Sequence, residues 1–296
     1  MKEFFELLCH PLIFPVNQTY IAAFIAQMEL SNLSPNTIKT YVSAISYFHK
    51  ILELKDPTSS QIVKKCLMGL KKRSSKRRKK PVINIKSLKK LCGNSKKCFS
   101  NVNEYLLFQC IVTMLFFGLF RISELLGDAA LEIQPLKYED LQVRDKKILL
   151  SISSYKHSKG NDAQVELVVQ KDKSICPVYK LKKLLEFNKT SEGYLFTLNG
   201  RPLTKPKFNQ MLKKCCKFAG LENFTSHCFR IGGATLAAQL GRTDAEIRTL
   251  GRWKSNAVNV YIRKSRPIVL TSPISRRRGL QTEVEHFSSR RPCKKK

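Results

Sequence analysis

The stretch from Tyr105 to Phe120 does most to narrow what this chain can fold into. It reads Tyr-Leu-Leu-Phe-Gln-Cys-Ile-Val-Thr-Met-Leu-Phe-Phe-Gly-Leu-Phe, apolar on every side of a helix. A helix of that kind has to be covered all round. Gln109 and Thr113 interrupt it, and Arg121 and Glu124 end it at once. It falls short of the about 20 apolar residues that a membrane span needs. A helix from about Asn103 to Phe120, buried in a large core, is therefore expected, and no membrane partner. At roughly 100–200 residues per domain, a chain of 296 residues has room for two.

The rest of the chain reads as mainly α with a small antiparallel β-sheet. Tyr20, Phe24 and Met28 recur at i+4 as one apolar stripe. Ser34-Pro35 marks a helix start, with Ser34 as N-cap and Pro35 in the first helical position. Ile38, Tyr41, Val42, Ile45 and Phe48 then trace the face of a second helix. A third runs from Gln61 to Leu70, with Ile62, Val63, Cys66, Leu67 and Leu70 apolar. Beyond a helix around Ser87 to Cys92 and the buried one, Leu141–Val143, Ile148–Ile152 and Val165–Val169 have strand composition. The last two flank a polar loop from Ser153 to Asp162. Helices resume over Val178–Phe187 and Pro206–Phe218. Thr243 and Glu246 form a capping box, and Ser255 can cap a short helix carrying Tyr261.

Charge names the class of partner. Lys plus Arg is 54 against 22 for Asp plus Glu, a net charge of +32. Such an excess favours a polyanion. It is densest at Lys71, Lys72, Arg73, Lys76, Arg77, Arg78, Lys79 and Lys80. Like charges so close disfavour an ordered helix. The run reads as an interdomain linker lying on DNA phosphates, as a nuclear-import signal, or as both. The tail from Ser272 is basic without apolar periodicity and is expected to be disordered or to order on a partner. The start, Met1-Lys2-Glu3-Phe4-Phe5-Glu6, is acidic and lacks the core of a secretory leader. The ten cysteines are scattered and read as reduced thiols, with no metal site expected.

The chemistry-bearing residues lie mostly near the C-terminus. His227 and Arg230 stand at i and i+3, on one helix face. Trp253, the only tryptophan, follows, and then Tyr261 within Val-Tyr-Ile-Arg. Arg121 closes the apolar segment far upstream, followed by Glu124. Two arginines can hold non-bridging phosphate oxygens with forked donors, and a tyrosine can be a nucleophile. Taken singly, each has a plain structural reading: Tyr261 and Trp253 as packing residues, Arg121 as an ion pair with Glu124, His227 as a helix-start residue.

In order and spacing these residues resemble the tyrosine recombinase (phage integrase) family, over roughly Asn17 to Pro267. Leu33-Ser34-Pro35-Asn36-Thr37-Ile38-Lys39-Thr40-Tyr41 is similar to the start of the family's helical core-binding domain. Asp56-Pro57-Thr58-Ser59-Ser60 and Leu250-Gly251-Arg252-Trp253-Lys254-Ser255 look most like enzymes of crypton and DIRS-type mobile elements. The resemblance implies a helical core-binding domain over residues 1–70, a linker over 71–82, an α+β catalytic domain over 83–268 and a tail over 269–296. Arg121 and Arg230 match the catalytic arginines, His227 the histidine of His-x-x-Arg, Trp253 a histidine-or-tryptophan position, and Tyr261 the nucleophile. Glu124 matches the acid that follows the first arginine. Lys156 best matches the β-hairpin lysine, with Lys159 in the same loop as the alternative.

The implied function is DNA cleavage and rejoining through a 3′-phosphotyrosyl link, in site-specific recombination or mobile-element integration. It needs no cofactor and no small-molecule substrate. The implied partners are double-stranded DNA and further copies of the chain, four on two DNA sites. The implied location is the nucleus in a eukaryote, otherwise the cytoplasm or nucleoid. An inactive domesticated DNA-binding protein and a type IB topoisomerase-like enzyme are the alternatives.

Overall fold

The computed structural model describes residues 2–7, 9, 11–73, 81–152, 163–189, 192–253 and 262. The chain divides into two compact units, residues 1–80 and 81–296.

The first unit holds α1 (Lys2–Leu7), α2 (Gln18–Leu30), α3 (Pro35–Ile51) and α4 (Gln61–Arg73). Ser34 caps α3, with its hydroxyl accepting from the Thr37 N–H at 3.2 Å and Pro35 in the first turn, as its sequence predicts. Two stripes differ from expectation. On α2 the buried set is Ile21, Phe24, Ile25 and Met28, and Tyr20 lies only half-covered at its edge. On α3 the buried set is Ile38, Val42, Ile45 and His49, while Tyr41 and Phe48 are exposed. A polar ring replaces Phe48 because His49 is satisfied at both nitrogens. Its Nδ1 lies 2.8 Å from the Ile45 carbonyl, and its Nε2 lies 3.0 Å from the Val16 N–H. The Val16 N–H is a donor, so Nε2 accepts and Nδ1 carries the proton.

The basic run also departs from expectation, since α4 continues through Lys71, Lys72 and Arg73. Two effects offset the local repulsion. Cations are favourable in a helix's last turn. Arg73 also forks onto the Glu29 carboxylate, Nε to Oε1 at 3.1 Å and Nη2 to Oε2 at 2.7 Å. Lys76, Arg77, Arg78, Lys79 and Lys80 lie outside the described residues.

The second unit is built round the apolar segment. In order it contains α5 (Ile85–Cys98), α6 (Val102–Phe117), α7 (Ile122–Leu126), β1 (Gly127–Asp128), β2 (Ile133–Pro135), β3 (Leu141–Val143), β4 (Lys147–Ile152) and β5 (Ala163–Val168). Then come α8 (Pro177–Asn188), β6 (Thr197–Leu198), β7 (Arg201–Pro202), α9 (Lys205–Phe218), α10 (Ser226–Gln239) and α11 (Asp244–Leu250). Every residue of α6 from Leu106 to Phe116 is buried, with α5, α8, α9 and α10 packed round it. Among the described residues, no helix is long and apolar enough to cross a membrane.

The polar interruptions of α6 are satisfied inside this core. Gln109 donates to the Cys92 carbonyl (2.8 Å) and the Ser95 hydroxyl (2.7 Å), and its carbonyl accepts from Lys180 Nζ (2.8 Å). Thr113 donates to the Gln109 carbonyl one turn back, at 2.8 Å. The sheet β3-β4-β5 is antiparallel, with Ile148 opposite Leu167 and Leu150 opposite Val165. Its alternating inward residues Ile148, Leu150, Ile152, Val165 and Leu167 close the core on one side.

The helix expected to reach Phe120 ends three residues earlier. Gly118 caps it, and Leu119 takes a left-handed φ of 49° that no α-helix continues. This break matters for the site because it turns Arg121 out of α6. Helix α10 lies against it so closely that its two glycines are required. A methyl group at 232 would strike the Ile83 carbonyl, and one at 233 the Phe116 carbonyl.

Candidate active site

Three turns meet round one carboxylate. The first is the break after α6. Arg121 caps α7, its N–H donating to Glu124 Oε2 at 2.9 Å and its Nη1 to Oε1 at 2.8 Å. The Glu124 side chain is fully buried and the Arg121 side chain 24% exposed. Arg121 thus keeps an open side while its position is set by the acid one turn on.

The second component is α10, which starts at Ser226 and places His227 on the surface and Arg230 in the interior. Arg230 is 1% exposed, the largest side chain buried so completely among the described residues. Its Nη1 donates to the Leu119 carbonyl and its Nη2 to the Gly251 carbonyl. One guanidinium therefore ties the turn after α6 to the turn after α11. A buried arginine is costly unless its donors find acceptors, and Nη1 and Nη2 find theirs on these two carbonyls.

The third is the turn after α11. Thr243 caps that helix, its hydroxyl accepting from the Glu246 N–H at 3.2 Å and its own N–H donating to the Glu246 carboxylate at 2.8 Å. At the far end Arg252 adopts φ 54°, a left-handed conformation uncommon for a side chain of this size. That reversal sends Arg252 inward. Its Nη2 reaches Glu124 Oε2 at 2.8 Å and the Leu119 carbonyl at 3.2 Å, and its side chain is only 7% exposed. Trp253 lands with its ring centroid 4.3 Å from the Arg230 guanidinium carbon, a cation–π stack. It also packs with Leu119, Ala234 and Ile247, so it has a packing role as well. Ile262 is partly buried on the same cluster.

Of the sequence-derived site residues, Arg121, Glu124, Arg230 and Trp253 are brought together, with His227 exposed on the first turn of α10. Tyr261, Lys156 and Lys159 lie outside the described residues. Lys71 and Lys72 are exposed on the last turn of α4, and Arg73 is engaged by Glu29. Sequence reasoning gave Arg252 no role. No local signal could have found it, because its partner Glu124 lies 128 residues away. Among the described residues, no three His, Cys, Asp or Glu side chains form a possible metal site.

Burial of Glu124 works to raise its pKa, but Arg252, Arg230, the Arg121 N–H and the Arg121 side chain outweigh that and hold it below the usual value. A depressed folded-state pKa gives stability that is complete above the unfolded value, about 4.3 for glutamate. That stability is lost as pH falls through the folded value. Glu124→Gln is therefore expected to lower the urea midpoint at neutral pH, and the gap from the parent should close as pH falls below the ordinary glutamate range. A gap that stays constant across the acid limb would show that the carboxylate charge is not what stabilises the cluster.

Residues 81–266 match the model of the phage integrase family. Among curated proteins, none matches the chain by sequence. Solved structures do match. The XerH site-specific recombinase, in a post-cleavage complex with palindromic difH substrate, superposes with TM-score 0.60 at 18% identity, over 90% of this chain and 73% of that one. The Tn1549 transposon integrase with transposon right end DNA gives 0.66 at 15% identity, over 89% and 88%. A lambda integrase dimer bound to a COC′ core site gives 0.58 at 15%, over 83% and 64%. At these identities the likeness establishes the fold, mainly helical with small antiparallel sheets.

Proposed function

This chain belongs to the phage integrase family, and from that premise we propose that it is a DNA recombinase cleaving and rejoining duplex DNA through a 3′-phosphotyrosyl intermediate. The observation that carries the reading is the convergence of Arg121 and Arg252, from segments more than a hundred residues apart, on the buried Glu124, with Arg230 tying their two turns together and stacked on Trp253. A surface helix pair needs no such construction. A site that must hold charge in a fixed place does.

In the proposed mechanism Tyr261 Oη attacks the phosphorus, a P–O bond to tyrosine forms, and the P–O5′ bond breaks. The phenolic proton passes towards His227. Arg121, with its open side, holds the non-bridging oxygens. Arg230 contributes charge and locks the Leu119 and Gly251 turns that carry Arg121 and Trp253. Lys156, or else Lys159, protonates the leaving 5′-oxygen. The phosphotyrosyl bond conserves the energy of the one broken, so another 5′-hydroxyl can reverse the step without a nucleotide cofactor. Site-specific recombination or mobile-element integration, by copies assembled as a tetramer on two DNA sites, follows as the proposed setting, with the nucleus as its place in a eukaryotic host.

The test is a nicked suicide substrate. A protein–DNA adduct that survives denaturant is the expected result. Duplex binding without any adduct would instead favour a DNA-binding protein that has lost the chemistry.

The hairpin lysines can be separated by leaving-group chemistry. A 5′-bridging phosphorothiolate departs as a thiolate that needs no proton, so Lys156→Ala is expected to cleave normal DNA far more slowly yet recover on the sulfur substrate. Selective rescue of Lys159→Ala would move the acid three residues along.

The basic run gives a further expectation. Neutralising Lys76, Arg77, Arg78, Lys79 and Lys80 should weaken binding to all sequences alike. It should also reduce the salt slope by roughly 0.9 for each DNA phosphate that is no longer neutralised. An unchanged slope with lost nuclear entry would leave the run an import signal alone.

A further inference from the structure

A second cluster of cations lies beside the N-terminal half of α6, its centre about 14 Å along the helix axis from the break at Gly118. Its centre is Lys180 on α8, which is only 8% exposed. Lys180 Nζ donates to Gln109 Oε1 at 2.8 Å, and among the described residues no carboxylate pairs with it. An ammonium has three donors and a full charge, and burying one without a counter-ion is costly.

Lys180 nevertheless lines an open recess of about 350 Å³ whose walls add more positive charge: Lys96 from α5 and Lys183 one turn along α8. Lys183 Nζ lies 4.9 Å from the Tyr179 ring centroid, and Lys96 Nζ lies 5.8 Å from that of Tyr105. The acid lining the recess is Glu186, exposed, on the turn after Lys183. Burial first, and then the Lys183 and Lys96 charges, pull Lys180 below the usual lysine value, with the Cys92 thiol opposing them. An anion in the recess would offset the like charges of Lys183 and Lys96 and give the buried Lys180 ammonium a counter-charge.

We infer that this recess is a second anion site, taking a phosphate-bearing ligand held by Lys180, Lys96 and Lys183. Phosphate suits it better than a carboxylate. Three separated ammonium groups act as point charges, and a phosphate spreads its charge over several oxygens that can meet them singly. The volume accommodates more than one phosphoryl group. The ligand is either a free polyphosphate or a DNA backbone phosphate, and the two share this chemistry.

The experiment uses the full chain labelled with 3-fluorotyrosine, with the Tyr105 and Tyr179 signals assigned by Tyr→Phe variants, titrated with sodium tripolyphosphate. Both signals are expected to move saturably, and not to move in sodium chloride of equal ionic strength. Lys180→Met should weaken the response by roughly thirtyfold or more. The Lys96→Gln/Lys183→Gln pair changes only exposed side chains, so it keeps the test valid should Lys180→Met fold poorly, and it should weaken the response too. Signals that stay still, that respond equally to chloride, or that respond equally in the exposed double variant overturn the site. Competition by duplex DNA then identifies the backbone as the source, and its absence identifies a free polyphosphate.

Discussion

Tyr261→Phe is expected to abolish the denaturant-stable DNA adduct while leaving affinity for duplex DNA nearly unchanged. The substitution removes one oxygen and keeps the ring, so packing and charge are preserved. Without the hydroxyl there is no atom to form the P–O bond, and no neighbouring group in the proposed mechanism can take over. Ile262, the next residue, is anchored on the Leu119, Ala234, Ile247 and Trp253 cluster, and phenylalanine at 261 leaves that anchor in place. The measurement pairs a gel assay on a nicked duplex with a binding isotherm. A variant that still forms the adduct removes Tyr261 as nucleophile. A variant that loses binding as well assigns the hydroxyl to DNA contact or folding instead.

The second large effect is expected at Arg252. Arg252→Met retains much of the volume but strips one guanidinium from a fully buried carboxylate. Breaking one side of a buried ion pair costs about 3–5 kcal/mol. Arg121 remains on Glu124, so the loss should fall towards the lower end of that range. Removing the acid as well, in Arg252→Met/Glu124→Leu, should restore part of the stability, because the buried carboxylate that lost Arg252 is then gone, and only part, because Arg121 and Arg230 lose its charge. Urea unfolding of the two single variants and the double closes the cycle. Strictly additive losses would mean that Arg252 and Glu124 do not stabilise one another. The same series should show adduct formation falling in Arg252→Met, although Arg252 is not proposed to touch phosphate, since it holds Glu124 and the Leu119 carbonyl in position.

Several parts of this protein were legible from local pattern. Ser34, Thr243 and the run of apolar residues in α6 announce themselves within a few positions, because caps and helical periodicity are short-range interactions. The strands β4 and β5 were legible for the same reason, through alternation. Where local pattern failed, a distant partner had decided the matter. Phe48 looked like core until His49 found Val16, 33 residues away, and Arg73 looked like a linker residue until it found Glu29, 44 residues away.

The candidate site divides along the same line. By itself the sequence determined which residue types are present, their order, the basic partner-seeking charge and the burial of the central helix. Each of these follows from composition or from spacing within one element. Only the tertiary structure decided that Arg252 belongs with Glu124, 128 residues away, and that Arg230 spends its fork on the carbonyls of Leu119 and Gly251. Both outcomes depend on left-handed turns at Leu119 and Arg252. A turn of that kind costs energy locally and persists only because contacts from elsewhere in the chain hold it, so no window of sequence around either residue contains its cause.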